Sequence, residues 1–247
     1  MKRLYGLIGY PLTHSFSKKY FEDKFRQLNI KDCTYRLFEI KVIEALELII
    51  QDNANLAGLN VTIPFKEQVL PYLDSLDESA LKVGAVNVIQ FEGDRRIGYN
   101  SDYYGFEKSL FPWIHEDKNN LTALVLGTGG AAKAVTAVLQ SHNINFILVS
   151  RNKSANAITY DDLMNSSRVA TSKLIINTTP LGMHPHDNAY PEIPYQDIGH
   201  NHYVYDLIYN PSETLFLKKA KEAGAAVKNG QEMLILQAEK AWEIWSS

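Results

Sequence analysis

The chain has 247 residues, of which 45% are hydrophobic, enough to bury one large core or two smaller ones. Its 25 basic and 28 acidic residues give a formal net charge of −3. Because no basic excess is available to neutralise phosphates, we expect neither nucleic acid nor an anionic membrane as a partner.

The cysteine content and the hydropathy bear on the compartment. Cys33 is the single cysteine, which excludes an internal disulfide and fits a reducing environment. No apolar run approaches the roughly 20 residues of a membrane span, and the first residues contain no signal-peptide core. We therefore expect a soluble, globular, cytoplasmic protein.

Strand and helix patterns alternate along the first half of the chain. The predicted elements, in chain order, are strand Leu4–Ile8, helix Lys18–Leu28, strand Tyr35–Ile40, helix Ile43–Ile50, strand Leu56–Thr62, helix Lys66–Leu73 after Pro64, paired strands Val86–Phe91 and Arg96–Tyr99, and helix Tyr104–Phe111. This alternation predicts a first half that is rich in βα units.

The alternation restarts after a polar stretch, His115–Asn120. The predicted elements are strand Thr122–Leu126, helix Ala131–Gln140, strand Asn145–Val149, strands Leu174–Asn177, Tyr203–Asp206 and Ala225–Lys228 with helical segments between them, and helix Gln231–Trp245. This pattern predicts a parallel, doubly wound sheet that forms a separate nucleotide-binding unit. Trp242 and Trp245, at helical spacing, indicate core packing rather than a stacking platform.

A glycine-rich loop follows the first strand of this second unit and opens its first helix. Its residues are Gly127, Thr128, Gly129, Gly130, Ala131 and Ala132. Gly127 permits a tight turn, Gly129 lets the backbone approach a pyrophosphate, and Ala132 allows close packing of helix and strand. The helix N-terminus then offers N–H groups to phosphates. The alternative is an ordinary strand-to-helix turn of small residues.

The end of the next strand indicates which dinucleotide binds. An NAD site places a carboxylate there for the ribose 2′-hydroxyl, but this strand ends in Val149-Ser150-Arg151-Asn152-Lys153. Arg151 and Lys153 suit a 2′-phosphate instead, which favours NADP. The alternative is two solvated loop cations.

Four polar clusters remain that packing alone does not explain. They are Ser15 with Ser17; Asn60, Thr62 and Lys66; Asn87; and Asn100, Ser101 and Asp102. Their hydroxyl and amide groups suit a polyhydroxylated ligand, and Lys66 with Asp102 offers a proton-transfer pair. The helix predicted after Pro64 would favour the neutral amine of Lys66 through its positive end. The alternatives are a solvated surface lysine and an aspartate that only caps a helix.

Two histidine pairs look like metal ligands: His184 with His186, and His200 with His202. Both pairs lie in loop-like sequence without a third ligand at a metal-binding spacing. We therefore expect no metal.

The polar clusters and the glycine loop belong to a series of blocks through which the chain resembles shikimate dehydrogenases over essentially its whole length. The other blocks are Gly9-Tyr10-Pro11 with His14-Ser15-Phe16-Ser17, Asn60-Val61-Thr62-Ile63-Pro64-Phe65-Lys66, Gly84-Ala85-Val86-Asn87, Asn100-Ser101-Asp102, Asn177-Thr178-Thr179-Pro180-Leu181-Gly182-Met183, Asp206-Leu207-Ile208-Tyr209-Asn210-Pro211, and Gly230-Gln231-Glu232-Met233-Leu234 with Gln237-Ala238. Several blocks in the family's order are more specific than any single one.

The resemblance implies an NADP-dependent oxidoreductase that reversibly reduces 3-dehydroshikimate to shikimate in the biosynthesis of chorismate and the aromatic amino acids. It implies an α/β fold with two α/β domains and the active site in the cleft. Residues 1–102 and 231–247 would form the substrate domain, completed by the C-terminal helix. Residues 103–230 would form a Rossmann-type NADP-binding domain.

Roles for individual residues also follow from the resemblance. It implies catalysis by Lys66 with Asp102. It implies substrate contacts from Ser15, Ser17, Asn60, Thr62, Lys66, Asn87, Asp102, Tyr209 and Gln237. It implies cofactor contacts from Gly127, Thr128, Gly129, Gly130, Ala131, Ser150, Arg151, Lys153, Asn177, Thr178, Thr179, Leu207 and Gly230.

Two other functions fit parts of the sequence. A quinate/shikimate dehydrogenase of broader substrate or cofactor use would share Ser15, Ser17 and Thr62, although Arg151 argues against NAD. A non-catalytic ligand-sensing module on the same fold would be expected to lose Lys66 or Asp102, and both are present. A monomer and a homodimer are both compatible with the sequence.

Overall fold

The computed structural model describes residues 2–12 and 15–247, so His14 of the first sequence block lies outside the described residues. The chain forms two compact units. Unit 1 runs up to Tyr104 and includes Gln237–Ser247, and unit 2 is Gly105–Leu236. Each of these boundaries lies inside a helix. Among the described residues, no helix has both the length and the apolar character needed to cross a membrane.

Unit 1 is built around a mixed sheet. Its elements are β1 Arg3–Gly9, α1 Phe16–Gln27, β2 Cys33–Glu39, α2 Ala45–Asp52, β3 Leu56–Val61, β4 Ser75–Leu76, α3 Glu78–Val83, β5 Val88–Glu92, β6 Arg95–Tyr99 and the start of α4, Ser101–Leu110. The strand order is β2-β1-β3-β5-β6-β4. β1 runs parallel to β2 and β3, whereas β5 runs antiparallel to its two neighbours. The predicted α/β character of this half is confirmed.

Unit 2 is built around a parallel sheet. Its elements are β7 Thr122–Leu126, α5 Gly130–Ser141, β8 Asn145–Ser150, β9 Ala157–Thr159, α6 Tyr160–Met164, α7 Arg168–Thr171, β10 Leu174–Asn177, β11 Tyr203–Asp206, α8 Leu215–Glu222, β12 Ala226–Lys228 and the start of α9, Gln231–Ser246. The order β12-β11-β10-β7-β8-β9 is parallel throughout. The chain moves outward from β7 to β9 and then returns to the other side of β7. This is the dinucleotide-binding topology, and the prediction of a doubly wound sheet is confirmed.

The end of α9 packs into the core of unit 1. Trp245 is 5% exposed, stacks on Tyr5, and donates its indole N–H to Ile89 O at 3.0 Å. It also fills the space above Gly58, where a Cβ would lie only 2.2 Å from Trp245 Nε1. The prediction of core packing for Trp245 is confirmed, and the last helix completes unit 1.

The helix predicted over Lys66–Leu73 is wrong. This segment forms turns that end in a short 3₁₀ helix, Leu70–Tyr72. Pro71 lies inside the predicted span, and a proline there removes an N–H donor and clashes with the preceding turn. No α-helix begins at Pro64, so the helix dipole predicted there does not act on Lys66.

Candidate active site

Lys66 and Asp102 form an ion pair in unit 1. Lys66 Nζ lies 2.6 Å from Asp102 Oδ2, and the two side chains are 19% and 14% exposed. The Lys66 carbonyl accepts a hydrogen bond from Val86 N at 2.8 Å, which ties its turn to the segment that leads into β5. An ammonium has three N–H donors, and Asp102 Oδ2 does not use all of them. Lys66 can therefore also donate to a substrate oxygen. The alternative of a solvated surface lysine is wrong.

The residue that caps α4 is Asn100, not Asp102. Asn100 Oδ1 accepts from Tyr103 N at 3.1 Å, and its Nδ2 donates to Ala85 O at 2.8 Å. The helix begins at Ser101, earlier than predicted, which places Asp102 in its first turn. The positive end of the helix stabilises a carboxylate there. Because Asn100 performs the capping, the Asp102 carboxylate is available to Lys66.

Asn60, Asn87 and Gln237 are joined in one hydrogen-bond network of unit 1. Asn87 Oδ1 accepts from Ser101 N at 2.7 Å, and Asn87 Nδ2 donates to Ser101 Oγ at 3.0 Å. Asn60 Nδ2 donates to the Asn87 carbonyl at 3.4 Å, and Ser101 Oγ donates to Gln237 Oε1 at 3.4 Å. The structure therefore brings together amides that are distant in sequence, through Ser101, the neighbour of Asp102.

Ser15 and Ser17 lie at the start of α1. Ser15 is the N-cap, and its Oγ accepts from Lys18 N at 3.4 Å. Within the described helix, the first turn carries no acidic residue, so its positive end is not neutralised and favours a carboxylate ligand. Thr62 follows β3, where its N–H donates to Ile8 O at 2.9 Å.

The glycine loop joins β7 to α5 in unit 2. Gly127 has a φ of +108°, in the region that favours glycine, and a Cβ there would lie 2.6 Å from Thr178 Oγ1. Gly129 is the N-cap of α5 and provides no side-chain cap, and its Cβ direction meets open space. The N–H groups of the first turn are therefore presented without a side-chain cap, as a pyrophosphate requires. Thr128 lies between these two glycines, and α5 begins with Gly130 and Ala131.

Two cations follow the second strand of unit 2. β8 ends at Ser150, whose Oγ accepts from Asn152 N at 3.3 Å and so shapes the turn. Arg151 and Lys153 stand at exposed positions in this turn. Their charges fit a 2′-phosphate, and no carboxylate among residues 149–153 is present to bind a 2′-hydroxyl. The donor set fits NADP.

The loops after β10 and β11 are tied to the end of β7. The backbone N–H and the hydroxyl of Thr178 both donate to Leu126 O, at 2.9 and 2.7 Å. Leu207 N donates to Asn177 O at 3.0 Å. Tyr209, in the loop after β11, is 36% exposed, and partial burial raises the pKa of its hydroxyl. The residues predicted to contact the cofactor therefore line the carboxyl ends of neighbouring parallel strands.

Sequence reasoning missed the importance of Asp206, a fully buried carboxylate at the end of β11. It accepts hydrogen bonds from Asn177 Nδ2 at 3.0 Å, Ile208 N at 3.1 Å and Thr214 Oγ1 at 2.6 Å. Asn177 in turn accepts from Thr179 N at 3.0 Å and from Thr179 Oγ1 at 2.7 Å. Asp206 thereby joins both loops to the start of α8. Its sequence signal was an acidic residue that ends an apolar strand.

Asp206 gives the stability of the protein a specific pH dependence. Burial raises the pKa of Asp206 from 3.8 to about 6, against the lowering effect of its hydrogen bonds. The folded state therefore binds this proton more tightly than the unfolded state, so the stability contributed is fully present below pH 3.8 and is lost as the pH rises through about 6. Relative to Asp206→Asn, we expect wild-type stability to fall by about 3 kcal/mol between about pH 4 and pH 7. Urea unfolding across this range measures the difference, and parallel pH curves for the two proteins would contradict it.

One histidine of each predicted pair contacts other residues of unit 2. His202 is buried, accepts from Gly199 N at 3.0 Å, and donates from Nε2 to Val169 O at 3.1 Å. His184 lies 3.3 Å from Asp187 at an exposed position. Within the described part of the chain, no group of three or more His, Cys, Asp or Glu side chains is arranged to hold a metal ion.

These features define a class of protein. A parallel sheet with dinucleotide-binding topology, an uncapped glycine-loop helix and two cations after the second strand are typical of NADP-dependent oxidoreductases. The protein-family model described as the shikimate dehydrogenase substrate binding domain matches residues 7–89. The chain is 42% identical to the shikimate dehydrogenase (NADP(+)) of Clostridium beijerinckii, over 98% of this chain and 91% of that one. The chain belongs to the shikimate dehydrogenase family.

Solved structures agree with this assignment. The chorismate mutase/shikimate 5-dehydrogenase fusion protein of Clostridium acetobutylicum matches with a TM-score of 0.88 and 38% identity, over 99% of this chain and 91% of that one. The shikimate 5-dehydrogenase of Thermus thermophilus, solved with NADP(H) and shikimate, matches with a TM-score of 0.82 and 26% identity, over 99% and 93% of the two chains. The predicted family and fold are confirmed, whereas the roles of individual residues stay predictions.

Proposed function

We propose that the protein catalyses the reversible, NADP-dependent reduction of 3-dehydroshikimate to shikimate. The observation that carries this proposal is the partly buried pair of Lys66 and Asp102, with 2.6 Å between Nζ and Oδ2. It occurs in a chain whose relatives are named shikimate dehydrogenase (NADP(+)). Reduction of a ketone needs a hydride at the carbon and a proton at the oxygen, and the pair suits the second task.

Lys66 is the proton donor in this mechanism. Its ammonium holds the ketone oxygen by a hydrogen bond and passes a proton to that oxygen as negative charge develops on it. Bound NADPH supplies the hydride. Asp102 keeps the ammonium in place through the ion pair. In the reverse direction Lys66 takes the proton back from the substrate hydroxyl.

The remaining polar residues of unit 1 orient the substrate. Ser15 and Ser17, at the positive end of α1, are proposed to hold its carboxylate. The other predicted substrate residues of unit 1 are proposed to bind the hydroxyl groups of the substrate ring. These residues are Asn60, Thr62, Asn87 and Gln237. Tyr209 of unit 2 is proposed as a further substrate contact.

The cofactor is assigned to unit 2. The N-terminus of α5 is proposed to bind the pyrophosphate. Arg151 and Lys153 are proposed to bind the 2′-phosphate. The rest of the dinucleotide is proposed to contact the residues at the carboxyl ends of β10 and β11 and before α9. These residues are Asn177, Thr178, Thr179, Leu207 and Gly230.

Absorbance of the reduced nicotinamide at about 340 nm tests the proposal. Purified protein is given shikimate or quinate, each with NADP⁺ or NAD⁺, in four parallel reactions. Strong reduction is expected only with shikimate and NADP⁺. Reduction with quinate or NAD⁺ would support the broader quinate/shikimate dehydrogenase, and no reduction by folded protein would support the ligand-sensing module.

Arg151→Ala tests the assignment of the cofactor. We expect the KM for NADP⁺ to rise by about 10- to 100-fold, because a charge-assisted hydrogen bond to the 2′-phosphate is lost. The KM for NAD⁺, which has no 2′-phosphate, should not rise. Lys173→Ala is the matched control, since Lys173 precedes β10 of the same parallel sheet, at the amino ends of its strands, and pairs with Glu116. Equal effects of Arg151→Ala on both cofactors would contradict the assignment.

We propose a cytoplasmic location and a monomer or homodimer as the working form. Cys33 is buried and free, which a reducing compartment maintains. Cell fractionation tests the location, and analytical ultracentrifugation distinguishes the two assembly states.

A further inference from the structure

Tyr35 is hydrogen-bonded to Asn60, one of the predicted substrate residues. It lies on β2, is 3% exposed, and stacks on Phe21 with 4.8 Å between ring centroids. Its hydroxyl donates to Asn60 Oδ1 at 2.7 Å. A hydroxyl carries a single proton, and that of Tyr35 is used in this bond to Asn60.

Two contacts together fix the orientation of the Asn60 amide. A side-chain amide can be turned so that its oxygen and its nitrogen exchange places. The Asn87 carbonyl can only accept, so it takes Nδ2 at 3.4 Å, and Oδ1 then accepts from the hydroxyl of Tyr35. Nδ2 carries two N–H groups, of which Asn87 accepts one. The second N–H is the group that Asn60 can offer to a ligand.

We propose that Tyr35 is a positioning residue that helps to fix Asn60 as a hydrogen-bond donor to the substrate. The inference rests on the proposed function, because it concerns the same substrate site. Without the hydroxyl, Asn60 Oδ1 loses its donor in a buried place, and only the 3.4 Å bond to the Asn87 carbonyl still holds the amide. Tyr35 acts through Asn60, so its loss affects substrate binding rather than proton transfer.

Tyr35→Phe tests this role, because it removes the hydroxyl and keeps the ring that stacks on Phe21. We expect the KM for shikimate to rise by about tenfold, with kcat and the KM for NADP⁺ within about threefold of wild type. Tyr99→Phe is the matched control. Tyr99 lies on β6 of the same sheet, and its hydroxyl donates to Gln90 Oε1 at 3.0 Å, away from the predicted substrate residues. An unchanged KM for shikimate in Tyr35→Phe would overturn the proposal.

Asn60→Asp tests the donor assignment independently of the stability of the tyrosine variant. A carboxylate still accepts from Tyr35 but has no N–H to donate, so we expect the KM for shikimate to rise by at least tenfold. A KM equal to that of wild type would overturn the assignment. In an Asn60→Ala background, Tyr35→Phe should change the KM little, because the residue through which it acts is gone. Wild-type protein without activity would instead contradict the proposed function itself.

Discussion

Lys66→Ala is expected to lower kcat by about 10²- to 10⁴-fold, the range for loss of a positioned general acid or base. The variant removes the proton donor and leaves the Asp102 carboxylate, 14% exposed, without its cation. Steady-state rates in both directions measure the effect, and titration calorimetry with shikimate measures binding separately. We expect binding to weaken far less than turnover.

Two further variants separate proton transfer from charge. Lys66→Arg keeps a cation beside Asp102, but a guanidinium does not give up its proton, so kcat should stay low while shikimate binds. Lys82→Ala is the control in unit 1, since Lys82 pairs with Glu78 at an exposed position and should be replaceable without loss of rate. A kcat for Lys66→Ala within about threefold of wild type would remove Lys66 from the mechanism.

Local features of the sequence predicted the elements and the cofactor unit well. The glycine loop after β7 and the cations after β8 are each read from a few consecutive residues, and strand and helix periods identify their surroundings. The helix predicted at Lys66 failed for an equally local reason. Pro71 argued against a helix there, but the prediction gave more weight to the pattern of apolar residues.

Tyr35 and Asp206 show what the sequence could not predict. Tyr35 donates a hydrogen bond to Asn60, which is 25 positions away. The two residues lie on strands that are separated by a third, and sequence periodicity does not predict a hydrogen bond between such strands. Asp206 likewise depends on Thr214 and Asn177, which meet it only after the sheet has formed. The groups that touch ligands can be recognised by type and motif, whereas the groups that hold them in place are defined by tertiary contacts.

Gly230→Ala is expected to destabilise unit 2 by about 3 kcal/mol or more, through overpacking against the backbone. A Cβ on Gly230 would lie 2.0 Å from the carbonyl oxygen of Leu207, so the main chain itself must move. The effect is steric rather than conformational, because Gly230 is not among the described glycines with a positive φ. Urea unfolding measures the loss.

Gly199→Ala is the matched control, because a Cβ on Gly199 of the same unit meets nothing within 4 Å. Equal unfolding midpoints for the two variants would refute the steric argument. The KM for NADP⁺ gives a second, separate readout. Gly230 N donates to Ile208 O at 3.0 Å, so a shift of Leu207 also disturbs the loop that is proposed to contact the cofactor. We therefore expect that KM to rise by about tenfold in Gly230→Ala, the effect of losing one hydrogen bond to the cofactor. If the variant is destabilised but its KM for NADP⁺ is unchanged, the packing role of Gly230 is supported and Leu207 does not contact the cofactor.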